Sequence, residues 1–232
     1  MNSLQSQRLA GVLTQLFNEA EKGEAAIKEY LAKTGLSMDE AVRQMVTKAI
    51  QSEKGGIEKL NDRAEDYFAV SRDFGKFLYA TARACKAKRI VEFGTSMGVS
   101  TIHLAAAIKD NGGGEVIGTE FVASKAERAR ASLEAAGLAD LVDIRVGDAR
   151  QTLRDIDGEI DMVLLDGAFT QYLEILKLLE PKLKPGAVIL AENAFKEADG
   201  YIAYIHDPAN GYIAQTLPIN EGRGNEFAVR TM

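Results

Sequence analysis

From residue 89 onward the chain alternates short apolar runs with amphipathic stretches, and this alternation limits the folds open to it. The runs 89–93, 115–121, 141–146, 160–166 and 187–191 read as strands, and helical periodicity fills 100–109, 124–136, 149–155 and 170–183. Near-continuous apolar strands are buried on both faces, which calls for a parallel sheet with helices on each side. Ser124-Lys125-Ala126-Glu127 reads as a capping box for one helix and Gly137 as its stop, while Pro185-Gly186 reads as the turn into the fifth strand. The tail differs. Residues 212–218 and 225–231 read as two strands joined by a turn around Glu221-Gly222-Arg223-Gly224, a hairpin at the sheet edge. The expected fold is α/β: a Rossmann-like, doubly wound, mostly parallel seven-stranded sheet with a C-terminal antiparallel edge hairpin.

Ahead of the sheet the pattern is helical only. Leu9, Val12, Leu13, Leu16 and Phe17 recur at helical spacing, as do Ile27, Tyr30 and Leu31 before Gly35. Ser37-Met38-Asp39-Glu40 reads as a capping box for a helix reaching Ile50, Gly55-Gly56 breaks it, and further helices are expected over 57–67 and after Ser71. Residues 1–60 are expected to form a helical extension whose apolar stripes serve as core or dimer surface and which walls the substrate site, and 61–232 the α/β domain. The net charge of -6 disfavours a large nucleic-acid footprint. No run of 18 apolar residues is present, so no membrane span is expected. Cys85 is the only cysteine, which rules out an intrachain disulfide. The stretch from Met1 to Arg8 lacks a basic start followed by an apolar core, so no signal peptide is expected and a cytoplasmic location is the default.

The first strand runs into Val91-Glu92-Phe93-Gly94-Thr95-Ser96-Met97-Gly98-Val99-Ser100 and then into a helix. A strand, a glycine-rich turn and a helix N-terminus form a cradle of nucleotide size. The Gly-x-Gly-x-x-Gly that binds a pyrophosphate is absent, which favours a ligand without a diphosphate. S-adenosylmethionine (SAM), with one carboxylate, a ribose and an adenine, is such a ligand. Each strand end also presents an acid or amide: Glu92, Glu120, Asp148, Asp166 and Glu192-Asn193. Ligands of open α/β sheets bind at these ends. Glu120 suits the ribose hydroxyls, Asp148 the adenine amino group, and Ser100 the ligand carboxylate, whereas Glu92 suits organisation of the turn.

These pieces, in this order, resemble the class I SAM-dependent O-methyltransferases of the catechol and caffeoyl-CoA type, especially the bacterial members. Val70-Ser71-Arg72-Asp73-Phe74-Gly75-Lys76-Phe77-Leu78, the glycine motif, Val146-Gly147-Asp148-Ala149, Leu164-Leu165-Asp166-Gly167, the segment from Leu178 to Ala187 and Ala191-Glu192-Asn193 carry the resemblance. It covers the chain from about residue 68 onward and leaves out the first 60 residues. The resemblance implies a cofactor set of Val70, Glu92, Gly94, Thr95, Ser96, Gly98, Ser100, Glu120, Phe121, Asp148, Ala149 and Asp166. It also implies a divalent cation, Mg²⁺ above all, on Asp166, Glu192 and Asn193. The acceptor it implies is a small phenol or catechol, and the assembly a homodimer.

Two positions depart from that pattern. Glu192 stands where the family has Asp, and Phe169 stands where it has a lysine that assists deprotonation. An aromatic ring cannot hold a proton, so Asp166, with or without a cation, and His206 as a substitute base are the catalytic candidates. A NAD-dependent oxidoreductase, a non-catalytic SAM-binding scaffold and an RNA hydroxyl methyltransferase are the alternatives. His103 reads as a surface or packing residue, Tyr172 as a packing residue, and Lys86, Lys88 and Arg89 as a solvated helix end.

Overall fold

The computed structural model describes residues 2–35, 44, 47, 48, 51, 69–196, 198–219 and 224–232. The helix expected up to Ile50 falls almost wholly outside these residues; the helix over 57–67 and most of the turn at 221–224 lie outside them as well. Seven strands form one sheet: β1 (Arg89–Phe93), β2 (Glu115–Glu120), β3 (Val142–Val146), β4 (Ile160–Leu165), β5 (Leu183–Ala191), β6 (Tyr212–Leu217) and β7 (Asn225–Arg230). Their order is β3-β2-β1-β4-β5-β7-β6. Strands β1 to β5 pair in parallel, and β7 runs antiparallel between β5 and β6.

The described helices are α1 (Gln7–Thr34), α2 (Arg72–Ala84), α3 (Val99–Asp110), α4 (Ala123–Ala136), α5 (Ala149–Thr152), α6 (Tyr172–Leu179) and α7 (Tyr201–His206). They cover both faces of the sheet, as unbroken apolar strands require. Alternate residues of one strand enter different cores. Ile90, Met162, Leu164 and Leu190 pack with α1 to α4, whereas Val91, Phe93, Val163, Leu165 and Ile189 pack with α6 and α7.

The apolar stripe of α1 is buried within its own chain. Leu9, Leu13, Leu16 and Phe17 belong to the same core as α3 and α4. Arg8 reaches the end of α4, where Nε donates to the Ala135 carbonyl at 2.5 Å and Nη2 to that of Glu134 at 2.6 Å. A guanidinium there satisfies carbonyls that have no partner within the helix and complements the negative helix end. Arg72 stands 4.3 Å from the Phe17 ring centre and pairs with Glu21 at 3.2 Å.

Two local expectations are corrected. Helix α4 starts at Ala123 with Val122 at its N-cap and no side-chain cap, so Ser124-Lys125-Ala126-Glu127 is no capping box. The Glu120 carboxylate accepts the Val122 N–H at 2.8 Å, and the chain turns into the helix on that strand-end acid instead. Gly137 does end α4, in a left-handed conformation at φ +70. Pro185-Gly186 lies inside β5 rather than before it. Ile160 pairs with Leu183 but Met162 with Val188, so two steps of β4 face five of β5, and Gly186 at φ +85 lies in the extra stretch.

Candidate functional site

The site opens where the strand order reverses. From β1 the chain crosses to β2 on one side, and from β4 to β5 on the other, so the carboxyl ends of neighbouring β1 and β4 frame a crevice. Gly94, at φ +98, makes the close approach possible: a Cβ there would lie 2.3 Å from the Asp166 carbonyl oxygen and 2.7 Å from Gly167 Cα. The Gly94 and Thr95 N–H groups donate to the Thr119 carbonyl at 3.2 and 2.9 Å, which ties the turn to β2. Gly98 is the N-cap of α3 at φ +89 and contributes no side-chain cap. The first-turn N–H groups of α3 have no partner inside the helix, and together with the helix dipole they favour a carboxylate.

Glu92 is fully buried at the second-last position of β1. It accepts hydrogen bonds from the Thr95 hydroxyl at 2.9 Å and the Thr101 hydroxyl at 2.6 Å. Burial pushes its carboxyl pKa up, while the hydroxyls of Thr101, Ser100 and Thr95 pull it down. It thus fastens the turn to α3, the organising role its place in the sequence suggested.

Glu120 ends β2, and among the described residues its hydrogen-bond donors are backbone N–H groups. Ser96 N–H donates to Oε2 and Val122 N–H to Oε1, both at 2.8 Å. A carboxylate offers about four lone-pair positions, so each oxygen keeps capacity for one more donor. Two open acceptors side by side match a vicinal diol. Phe121, half-buried, follows it, and Val70, buried, precedes the Ser71 hydroxyl that caps α2.

Asp148 caps α5, where it accepts the Arg150 N–H at 2.9 Å. The Arg150 side chain also grips it, with Nε at 3.0 and 3.1 Å from the two oxygens and Nη2 at 2.7 Å from Oδ2. That guanidinium holds the Asp148 carboxyl below the usual carboxylate range. Ala149, buried, is the first residue of α5.

Asp166 and Glu192 follow Leu165 and Ala191, which are paired in register, so the two acids stand at adjacent strand ends. Asp166 N–H donates to the Phe93 carbonyl at 2.8 Å and Glu192 N–H to that of Leu165 at 2.9 Å. Glu192 is 1% exposed, and its carbonyl accepts the Tyr172 hydroxyl at 2.6 Å. Asn193 adopts φ +57. With Asn193 the set is oxygen-only, which fits a hard cation by donor type. Among the described residues no group of three or more His, Cys, Asp or Glu side chains could hold a metal ion. Shortly after these acids along the chain come Phe169 and Phe195, whose rings meet edge to face with centres 5.4 Å apart.

The structure thus gathers Glu92, the turn from Gly94 to Ser100, Glu120 and Asp166 around one crevice. His206, at the end of α7, has Nε2 2.9 Å from the buried Glu226 carboxylate on β7, and β5 stands between β7 and β4. Sequence reasoning missed the Arg150 clamp and the Tyr172 hydroxyl. A basic residue two positions past a strand-end acid was a weak signal for the first, and nothing in the sequence marked the second.

A model described as a methyltransferase domain matches residues 91–194, from β1 through Ala194. A catechol O-methyltransferase from Niastella koreensis is 35% identical over 133 residues, 56% of this chain and 59% of its own length. The chain thus spans a little over half of that relative. The crystal structure of cofactor-bound Rv0187 from MTB is 30% identical with a TM-score of 0.65, over 73% of this chain and 85% of that one. The O-methyltransferase TomG from Streptomyces achromogenes, solved in complex with SAM, is 26% identical with a TM-score of 0.60, over 75% and 89% of the two chains.

Proposed function

Because the chain belongs to the SAM-dependent O-methyltransferases of the catechol and caffeoyl-CoA type, we propose that it moves the sulfonium methyl of SAM to a hydroxyl oxygen of a small phenolic or catechol-like acceptor. The observation that carries the reading is Glu120, pinned by two backbone N–H groups beside the Gly94–Gly98 turn with an acceptor position open on each oxygen. The ribose diol belongs there, the methionine carboxylate at the start of α3, and the adenine amino group at Asp148. This places the sulfonium methyl over the crevice between β1 and β4, facing Asp166. The acceptor oxygen attacks in line: the C–O bond forms, the C–S bond breaks, and S-adenosylhomocysteine (SAH) leaves with the electron pair.

Aligning donor and acceptor supplies much of the rate in such a transfer. The hydroxyl proton must also leave, and Phe169 cannot take it. Asp166 is the nearest carboxylate by placement, and His206, backed by Glu226, is the substitute base to test after it. Asp166, Glu192 and Asn193 are the residues that would hold a divalent cation, which when bound lowers the acceptor hydroxyl pKa. Phe169 and Phe195 supply an apolar wall for a flat acceptor ring. A homodimer is part of the same proposal, and light scattering checks it: a monomeric mass rejects it.

The test is transfer of labelled methyl from SAM to a catechol, with and without chelator. Methylated catechol supports the reading, and SAM binding with no transfer to any hydroxyl acceptor contradicts it. Activity lost in chelator and restored by Mg²⁺ supports the cation; full activity in excess chelator rejects it and makes His206→Ala the next variant.

A further inference from the structure

Asp199 joins two helices that lack caps of their own. Gln171 is the N-cap of α6 and Gly200, at φ +85, that of α7, and neither bonds its helix through a side chain. The first N–H groups of a helix have no partner inside it. Asp199 Oδ2 accepts the Leu173 N–H, in the first turn of α6, at 2.6 Å. Its Oδ1 accepts the Tyr201 N–H, at the start of α7, at 3.0 Å. The second bond is local, whereas the first reaches 26 residues back along the chain. One carboxylate thus complements the positive ends of both helices, with one oxygen for each. Phe169 opens the short turn that runs straight into α6. The Phe195 carbonyl accepts the Ala198 N–H at 3.1 Å, in the turn just before Asp199. The same two segments also meet through buried side chains: Tyr172 donates to the Glu192 carbonyl and stands edge to face with Tyr201.

We propose that Asp199 is a positioning residue for the methyl acceptor: by tying the start of α6 to the start of α7 it sets the spacing of the segments that carry Phe169 and Phe195, and with it the fit of the acceptor ring. The proposal rests on the acceptor wall of Phe169 and Phe195 given above. The tie needs two acceptor oxygens, because its donors come from two elements. An amide of the same size has one acceptor oxygen, and its NH2 would meet the second N–H donor to donor. Asp199→Asn therefore keeps one helix and releases the other while emptying no volume. Asp199 is half-buried, and the buried contacts of Tyr172 remain, so the variant keeps its fold. Glu120 and the glycine turn share no bond with Asp199, so the SAM side is untouched. A wall grips the ring alike in the ground and transition states, and its loss shows in KM rather than kcat.

The experiment compares the full chain with Asp199→Asn, Asp199→Ala, Phe195→Leu and the double variant Asp199→Asn/Phe195→Leu. Amide hydrogen exchange by NMR reads the tie directly, calorimetry reads SAM, and labelled methyl transfer reads catechol. In Asp199→Ala the Leu173 and Tyr201 amides should both exchange about tenfold faster or more, the scale of one hydrogen bond to a charged group, while the Ser96 amide on Glu120 keeps its rate. Faster exchange at Tyr201 alone overturns the tie between the helices. Both Asp199 variants should raise catechol KM about tenfold on the same scale, with kcat and SAM affinity within about twofold of wild type. A merely structural role would lower the melting temperature and leave catechol KM where it was, which overturns the proposal. The double variant should resemble the worse single variant, because both changes act on one wall; fully additive losses place Asp199 outside it and overturn the positioning role. If Phe195→Leu leaves catechol KM unchanged, the wall itself is wrong; if it raises KM while both Asp199 variants do not, only the role of Asp199 falls. No transfer to catechol by the wild type removes the acceptor reading and the positioning role with it.

Discussion

Gly94 shows how little room the crevice allows. Its positive φ disfavours any side chain, and a Cβ would overlap the Asp166 carbonyl. Gly94→Ala should therefore force β1 and β4 apart at their carboxyl ends, lower the melting temperature and abolish SAM binding; a stable variant with native SAM affinity would refute the close-packed cradle. His103 sets a second residue-level expectation. It is 3% exposed, its Nδ1 lies 2.8 Å from the Val99 carbonyl, and burial lowers its pKa to about 4. The unfolded chain binds this proton near pH 6.5 and the folded chain only near 4, so the unfolded state gains as pH falls between those values. Stability should drop by about 2 kcal/mol between pH 7 and 5 on this account. Urea titrations of the wild type and His103→Leu check it: equal pH slopes would remove His103 as the cause. The strand-end acids were legible because each ends an apolar run. The contacts of His103 were not, because a lone histidine in an apolar helix looks the same whether it packs or points outward.

At the scale of elements, α1 joins the sheet's own core rather than standing apart from it. Leu9 is 1% exposed and packs in the core shared by α3 and α4. Leu9→Ala should cost about 2–5 kcal/mol, the usual range for emptying a buried leucine site. Denaturant unfolding measures this; a loss under about 0.5 kcal/mol, the size of an ordinary surface substitution, would mark α1 as an appendage. Helical spacing revealed that α1 has an apolar stripe but could not say what covers it, because a stripe reads alike in a core and at a dimer surface. The same limit explains the two corrected elements. Ser124-Lys125-Ala126-Glu127 has the composition of a cap, but Glu120, acting from the preceding strand, set the helix start. Pro185-Gly186 has the composition of a turn, but pairing with β4 carried β5 through it as an irregularity.

For the whole molecule, fold class followed from periodicity alone, since unbroken apolar strands between helices admit few arrangements. The strand order added what periodicity lacked: a reversal between β1 and β4 that puts the glycine turn, Glu120 and Asp166 at one crevice. The edge-to-face contact of Phe169 with Phe195, proposed above as the wall of the acceptor site, was less legible because the two rings come from separate segments of the chain. Among the described residues no helix is long and apolar enough to cross a membrane. The central claim is that this crevice holds SAM through the Glu120 diol site, and calorimetry of SAM and NAD on the wild type and Glu120→Ala tests it most directly. SAM should bind the wild type and NAD should not, and Glu120→Ala should weaken SAM by about 1–3 kcal/mol, roughly 5- to 150-fold. Binding of NAD in place of SAM, or a Glu120→Ala variant with unchanged SAM affinity, would contradict the account.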